Sequence, residues 1–260
     1  MKRPAFSIDL RDRVAIVTGG SRGIGRACVE LLAAAGASVV FSYRSSAAGA
    51  RDAENAVRRR RGGRAVAVRA DVSRPRECDA LVRTAVRRFG RLDFLVNNAG
   101  IWESPGGAAV DTMTDSQWTR TMRVNLDGVF RCTRAAVREM RERRSGRIVN
   151  ISSTAGQRGE ALHSDYAASK GAIISFTKSL ATELGPHGIL VNAVAPWWVY
   201  TDMSRDILDR PGTAGGESSP LGRVATPEEI AGPVLFLCSD LASFITGEIL
   251  NVNGGTILCG

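Results

Sequence analysis

The chain has 260 residues, 44% of them hydrophobic, which is enough apolar surface for one large α/β domain. Thirty-five basic against twenty-six acidic side chains leave a net charge of +9, which favours an anionic ligand such as a nucleotide phosphate. Two histidines, His163 and His187, and five cysteines scattered at Cys28, Cys78, Cys132, Cys238 and Cys259 argue against a metal centre, and no apolar run approaches the roughly 18 residues of a membrane span.

Arg13–Val17 has the length and apolarity of a strand, and Thr18-Gly-Gly-Ser-Arg-Gly-Ile-Gly25 follows it directly. Arg26–Ala35 then has a helical pattern stopped by Gly36. Glycines in such a turn let backbone approach a pyrophosphate, and the helix that follows offers free N–H groups and the positive end of its dipole. The spacing here is Gly19-x-x-x-Gly23-x-Gly25, not the commoner Gly-x-Gly-x-x-Gly. Ser38–Ser42 predicts a second strand ending in Tyr43, Arg44 and Ser45. An NAD site would place an acid there for the ribose 2′-hydroxyl. Arg44, Ser45 and Arg22 instead suit a 2′-phosphate, so NADP(H) is expected over NAD(H).

Ala47–Arg61 is a charged helix ending in the run Arg58–Arg61. The run reads as an exposed helix end beside Gly62 and Gly63, and with no aromatic residues interleaved it predicts no nucleic-acid partner. Arg64–Arg69 is the third strand, leading to Asp71 and Val72. Pro75–Phe89 is a helix closed by Gly90, and Leu92–Val96 is the fourth strand, ending in Asn97-Asn-Ala-Gly100. This alternation predicts a Rossmann-type, doubly wound parallel sheet in a three-layer αβα single domain, with ligands at the carboxyl ends of the strands. Asp71 is a candidate for the adenine side, and Asn97 for holding the strand-end geometry.

Thr114–Arg144 contains one long helix or two joined ones, with Asp115 and Ser116 as candidate N-caps and Asn125 inside. Gly146–Ser152 is the fifth strand and delivers Ser153. On the helix Ser164–Leu184, Tyr166 and Lys170 stand four residues apart on one face. A phenol with a pKa of about 10 is a poor proton donor near neutrality, and a neighbouring ammonium is expected to bring that pKa down. Ile189–Val194 is the sixth strand, followed by Pro196-Trp-Trp-Val-Tyr-Thr-Asp-Met203. Residues 204–226, rich in Gly, Pro and Ser, read as a substrate lid. Pro227–Ala231 opens a helix, and Gly247–Asn253 is a last strand. Small residues on the Tyr166 helix and the apolar final strand predict a homo-tetramer.

The glycine turn, Asp71-Val72, Asn97-Asn-Ala-Gly100, Asn125, Ser153, Tyr166-Ala-Ala-Ser-Lys170 and Pro196–Met203, in that order, make the chain resemble the short-chain dehydrogenase/reductase family. Within it, the chain is most similar to the 3-oxoacyl-carrier-protein-reductase branch, with sugar and polyol dehydrogenases close by. The resemblance implies an NADP(H)-dependent interconversion of a carbonyl and a secondary alcohol, and the lack of a continuous apolar segment predicts a cytoplasmic protein. The resemblance further implies that Tyr166 donates the proton, Ser153 holds the carbonyl oxygen, Lys170 binds the nicotinamide ribose and lowers the Tyr166 pKa, and Asn125 positions a water that links Lys170 to solvent. It also implies a cofactor contact set of Gly19, Ser21, Arg22, Gly23, Ile24, Gly25, Tyr43, Arg44, Ser45, Asp71, Val72, Asn97, Ala99, Gly100, Tyr166, Lys170, Pro196, Val199 and Thr201, without metal. A sugar or polyol substrate and a non-catalytic NADP-sensing regulator are the alternatives.

Two departures from the family pattern stand out. Pro196-Trp197 replaces the usual Pro-Gly, and Trp197 or Trp198 is expected to form an apolar or ring-stacking substrate wall. Of the two positions that dock an acyl carrier protein in carrier-dependent reductases, one is Arg144 and the other is His187, so use of that carrier is a weakened expectation.

Overall fold

The computed structural model describes residues 8–60, 63–103, 107–210 and 219–258. Arg61 at the end of the basic run, Cys259 and the middle of the expected lid lie outside those residues. Seven parallel strands form one sheet: β1 (Val14–Val17), β2 (Ser38–Tyr43), β3 (Arg64–Arg69), β4 (Phe94–Asn97), β5 (Gly146–Ile151), β6 (Ile189–Pro196) and β7 (Ile249–Val252). Their order is β3-β2-β1-β4-β5-β6-β7, so the winding reverses between β1 and β4, where a doubly wound sheet opens a crevice.

Helices α1 (Gly23–Ala34), α2 (Ala47–Arg59), α3 (Pro75–Phe89), α4 (Asp115–Asn125), α5 (Asp127–Arg143), α6 (Ala155–Arg158), α7 (Ser164–Leu184), α8 (Arg205–Leu208) and α9 (Pro227–Cys238) connect the strands. Period-two alternation sorts the strand side chains. Ala15, Val17, Phe94 and Val96 join Leu32, Ala53 and Val234 in a core under α1, α2 and α9; Val14, Ile16 and Leu95 join Leu81, Ala136 and Leu184 under α3, α5 and α7. Because both faces are covered, the strands read as unbroken apolar runs.

The expected boundaries hold to within a few residues, and α3 and α7 span the expected residues. The 114–144 segment is two helices. Leu126 is the last cap of α4 and the first cap of α5, and the N-cap of α4 is Thr114, whose hydroxyl accepts from the Gln117 N–H. Asp115 and Ser116 lie inside the first turn instead, where Asp115 meets the positive dipole end. The described part of the expected lid contains the short helix α8 and a loop stitched to the chain after β6 by a Val199–Ala225 bridge.

Candidate active site

A cavity of about 400 Å³ runs along the carboxyl ends of β1 to β6. One end of it is built by the glycine turn. A Cβ on Gly25 would sit 2.3 Å from the Gly19 carbonyl oxygen, so only glycine lets α1 start this close to the turn. Thr18 and Asn98 lock the turn to β4. The Thr18 hydroxyl accepts from the backbone N–H groups of Asn98 and Ala99, each at 2.9 Å, and the Asn98 amide donates to the Thr18 carbonyl at 2.9 Å. No side chain caps the start of α1 and no acid stands in its first turn, so its N–H groups and positive end face the cavity beside Gly23 and Ile24. This cradle fits a pyrophosphate.

Past the turn, Tyr43, exposed Arg44 and Ser45 line the cavity at the end of β2, together with Arg22. Arg22 pairs with Asp202 at 3.9 Å across a largely exposed contact. Asp71 and Val72 line the end of β3. Burial pushes the Asp71 carboxyl up, but hydrogen bonds from Ser73 and the charges of Arg44 and Arg74 outweigh it, leaving the pKa below the usual value.

The other end of the cavity carries Ser153, Tyr166 and Lys170. Helix α6 packs on α7 so closely that a Cβ on Gly156 would lie 2.5 Å from the Lys170 carbonyl carbon. That contact, with the Ser152 hydroxyl donating to the Lys170 carbonyl at 2.9 Å, holds Ser153 against the α7 face bearing Tyr166. Buried Asp165 anchors the first turn of α7 by accepting from the Thr121 hydroxyl at 2.8 Å. Lys170 Nζ is buried, donates to the Ile151 carbonyl at 2.7 Å, and lies 5.6 Å from the centre of the Tyr166 ring.

The expected lowering of the Tyr166 pKa by Lys170 is not what this structure contains. Burial pushes the phenol up to about 12, against a smaller downward pull from its hydrogen bond with Ser153. Burial also brings Lys170 down to about 8. Desolvation is the largest cause at both groups, and the ammonium's hydrogen bond goes to the Ile151 backbone carbonyl.

Of the expected site residues, Gly25, Asn97 and Asn125 do not line the cavity, whereas the others do. Gly25 supports the turn from behind. Asn97 faces the core, donating to Thr133 Oγ1 at 3.0 Å and Asn150 Oδ1 at 2.8 Å; the cavity-facing member of the pair is Asn98, because side chains at a strand end alternate. Asn125 clamps the backbone of Ile101, accepting from its N–H at 2.8 Å and donating to its carbonyl at 3.0 Å, and donates to Ser169 Oγ at 3.1 Å. Its Oδ1 and Lys170 Nζ both stand beside Gly100. Trp197 and Trp198 both line the cavity, as do Trp102, Glu160 and His163, which sequence reasoning missed because they come from separate loops.

Known proteins match this arrangement along almost the whole chain. A family model described as Enoyl-(Acyl carrier protein) reductase matches residues 19–256. A 3-oxoacyl-[acyl-carrier-protein] reductase of Synechocystis is 42% identical over 96% of this chain and 98% of its own. The chain belongs to the short-chain dehydrogenase/reductase family. A short-chain reductase protein, NovJ of Streptomyces niveus, is 43% identical over 94% of both chains. The crystal structure of levodione reductase superimposes with a TM-score of 0.89 at 34% identity, covering 95% of this chain and 98% of that one. The protein is therefore an oxidoreductase of that family, and membership implies a nicotinamide cofactor. No helix among the described residues is long and apolar enough to cross a membrane.

Proposed function

We propose that the protein is an NADP(H)-dependent carbonyl reductase, which also runs as a secondary-alcohol dehydrogenase, with 3-oxoacyl thioesters among its candidate substrates. The observation that carries this reading is one cavity with a basic end at Arg22, Arg44 and Ser45 and, at the other, half-buried Ser153 and Tyr166 beside buried Lys170. The glycine turn and α1 would hold the pyrophosphate, Arg44, Ser45 and Arg22 the 2′-phosphate, and Asp71 and Val72 the adenine side. Asn98, Ala99 and Gly100 would border the cofactor's middle, while Pro196, Val199 and Thr201 would border it from β6. The bound nicotinamide supplies hydride chemistry.

Ser153 and Tyr166 converge on one substrate oxygen. Tyr166 keeps its proton well past neutrality, so it is present as the acid and gives the proton up only as the substrate oxygen gains negative charge. As that proton leaves, the charged Lys170 stabilises the phenolate left behind. Asn125 Oδ1 and Lys170 Nζ both flank Gly100, which supports the reading that Asn125 would position a water linking Lys170 to solvent. Acyl carrier protein is a weaker candidate partner. Arg144 donates to the Pro186 carbonyl at 2.8 Å and His187 pairs with Arg141 at 2.7 Å, both at the amino ends of β5 and β6, across the sheet from Ser153 and Pro196.

We also infer a cytoplasmic homo-tetramer. The four cysteines among the described residues are buried free thiols, which suits a reducing compartment. Phe130 on α5, in edge contact with Phe176 on α7, and Phe244 leave large apolar groups exposed for a second copy to cover. Light scattering should give four chains per particle. The functional reading is tested by a ketone screen with NADPH and with NADH. The expected result is ketone-dependent oxidation of NADPH at least ten-fold more efficient than of NADH, on the order of one charge-assisted contact to the 2′-phosphate. No ketone-dependent oxidation of either nucleotide would overturn it.

A further inference from the structure

One wall of the cavity is a connected series of rings. His163, on the chain just before α7, stacks at a tilt on Trp102 with ring centres 4.8 Å apart. Trp102 meets Trp198 edge-on at 5.6 Å, and Trp198 meets Trp197 edge-on at 6.3 Å. The Arg158 guanidinium lies 4.7 Å from the centre of the Trp197 ring and closes the far end, its own charge met by Glu160 at 2.6 Å. All four rings line the cavity, alongside Ile101, Met203 and Ile207. The series begins within one helical turn of Tyr166 and ends next to Pro196, so it stands beside the proton donor.

The orientation of Trp102 is fixed by one bond. An indole N–H can only donate, and Trp102 Nε1 lies 2.9 Å from His163 Nδ1, so Nδ1 accepts and the imidazole carries its proton on Nε2. Burial favours that neutral ring, against the opposing pull of Glu160 and Asp165. The bond holds Trp102 where its edge meets Trp198.

We propose that this wall selects ketones carried on a planar aromatic or fused-ring framework, and that His163 is the positioning residue that fixes Trp102 to receive them. The proposal rests on the carbonyl-reductase reading. Aromatic pairs prefer edge-on or offset packing at ring-centre distances of about 4.5–7 Å, and a substrate ring of that shape extends the series with no rotatable bonds to order. A linear acyl chain gains only apolar burial from the same wall and gives up its torsional freedom.

The test is calorimetric binding of two ten-carbon ketones, β-tetralone and a linear methyl ketone, to the full chain. Wild type should bind β-tetralone about ten-fold more tightly, the return of roughly one to two aromatic contacts. Trp198→Leu should abolish that preference, and thermal melts of the variant show whether it is folded. His163→Phe, which cannot accept from Trp102, should lose most of the preference, and His163→Asn, whose Oδ1 can accept, should restore it. Equal binding of the two ketones by wild type would overturn the wall, as would a preference kept by both Trp198→Leu and His163→Phe. If the preference is as expected but neither ketone supports NADPH oxidation, the reductase reading fails while the wall stands.

Discussion

The two ends of the cavity are charged in opposite physical regimes. At the proposed nucleotide end, Arg22 and Arg44 are exposed and screened by water, and the Arg44 charge reaches Asp71 through space. At the other end, proposed to donate the proton, Tyr166 is half-buried and Lys170 buried, and desolvation is the largest influence on both. Recognition of a polyanion needs cationic groups in reach, which a wet, mobile surface can supply. Proton transfer needs one phenol to hold its proton until the substrate oxygen wants it, and a dry site with fixed neighbours supplies that.

Each end can be broken separately. Lys170→Met removes the buried cation, and kcat for NADPH-dependent ketone reduction should fall by about 10²–10³-fold, the usual cost of losing one preorganised electrostatic group. Steady-state kinetics at saturating ketone checks this; a loss under three-fold would mean that Lys170 does not act on the reacting centre. Arg44→Glu should act at the other end only, cutting the NADPH-over-NADH preference in kcat/KM by about ten- to a hundred-fold through loss of a charge-assisted contact. The smallest effect sharpens the contrast. Raising salt from low to physiological ionic strength should raise KM for NADPH a few-fold and leave kcat unchanged, because screening reaches the exposed arginines and not Tyr166 and Lys170.

The sequence makes the Tyr166 end of the cavity more legible than its surroundings. Tyr166 and Lys170 share a face by helix period alone, and the strand–turn–helix around Gly19 to Gly25 follows from glycine spacing and apolar runs. The fold class follows from the regular alternation of strand and helix. What a linear reading could not resolve depends on a single residue of register or on long-range contact. Asn97 and Asn98 are chemically identical neighbours, and only the pleat of β4 decides which faces the core and which the cavity. Trp102 and His163 are 61 positions apart and meet through one side-chain bond that no local pattern encodes. The rise of the Tyr166 pKa was hidden for a related reason: i,i+4 spacing shows that a cation is near, whereas burial depends on the packing of α6 on α7 around Gly156 and Lys170.

The most direct measurement is kcat/KM for NADPH-dependent ketone reduction from pH 6 to 10, for wild type and Tyr166→Phe side by side. The folded pKa of Lys170 is lowered to about 8, so its charge is complete below that pH and is lost as pH rises through it, whereas Tyr166, raised to about 12, stays protonated throughout. Wild-type activity should therefore hold up to about pH 8 and decline above it, with Tyr166→Phe lower by about 10²–10⁴-fold at every pH. A Tyr166→Phe variant that matches wild type across the range would contradict the assignment of Tyr166 as the proton donor.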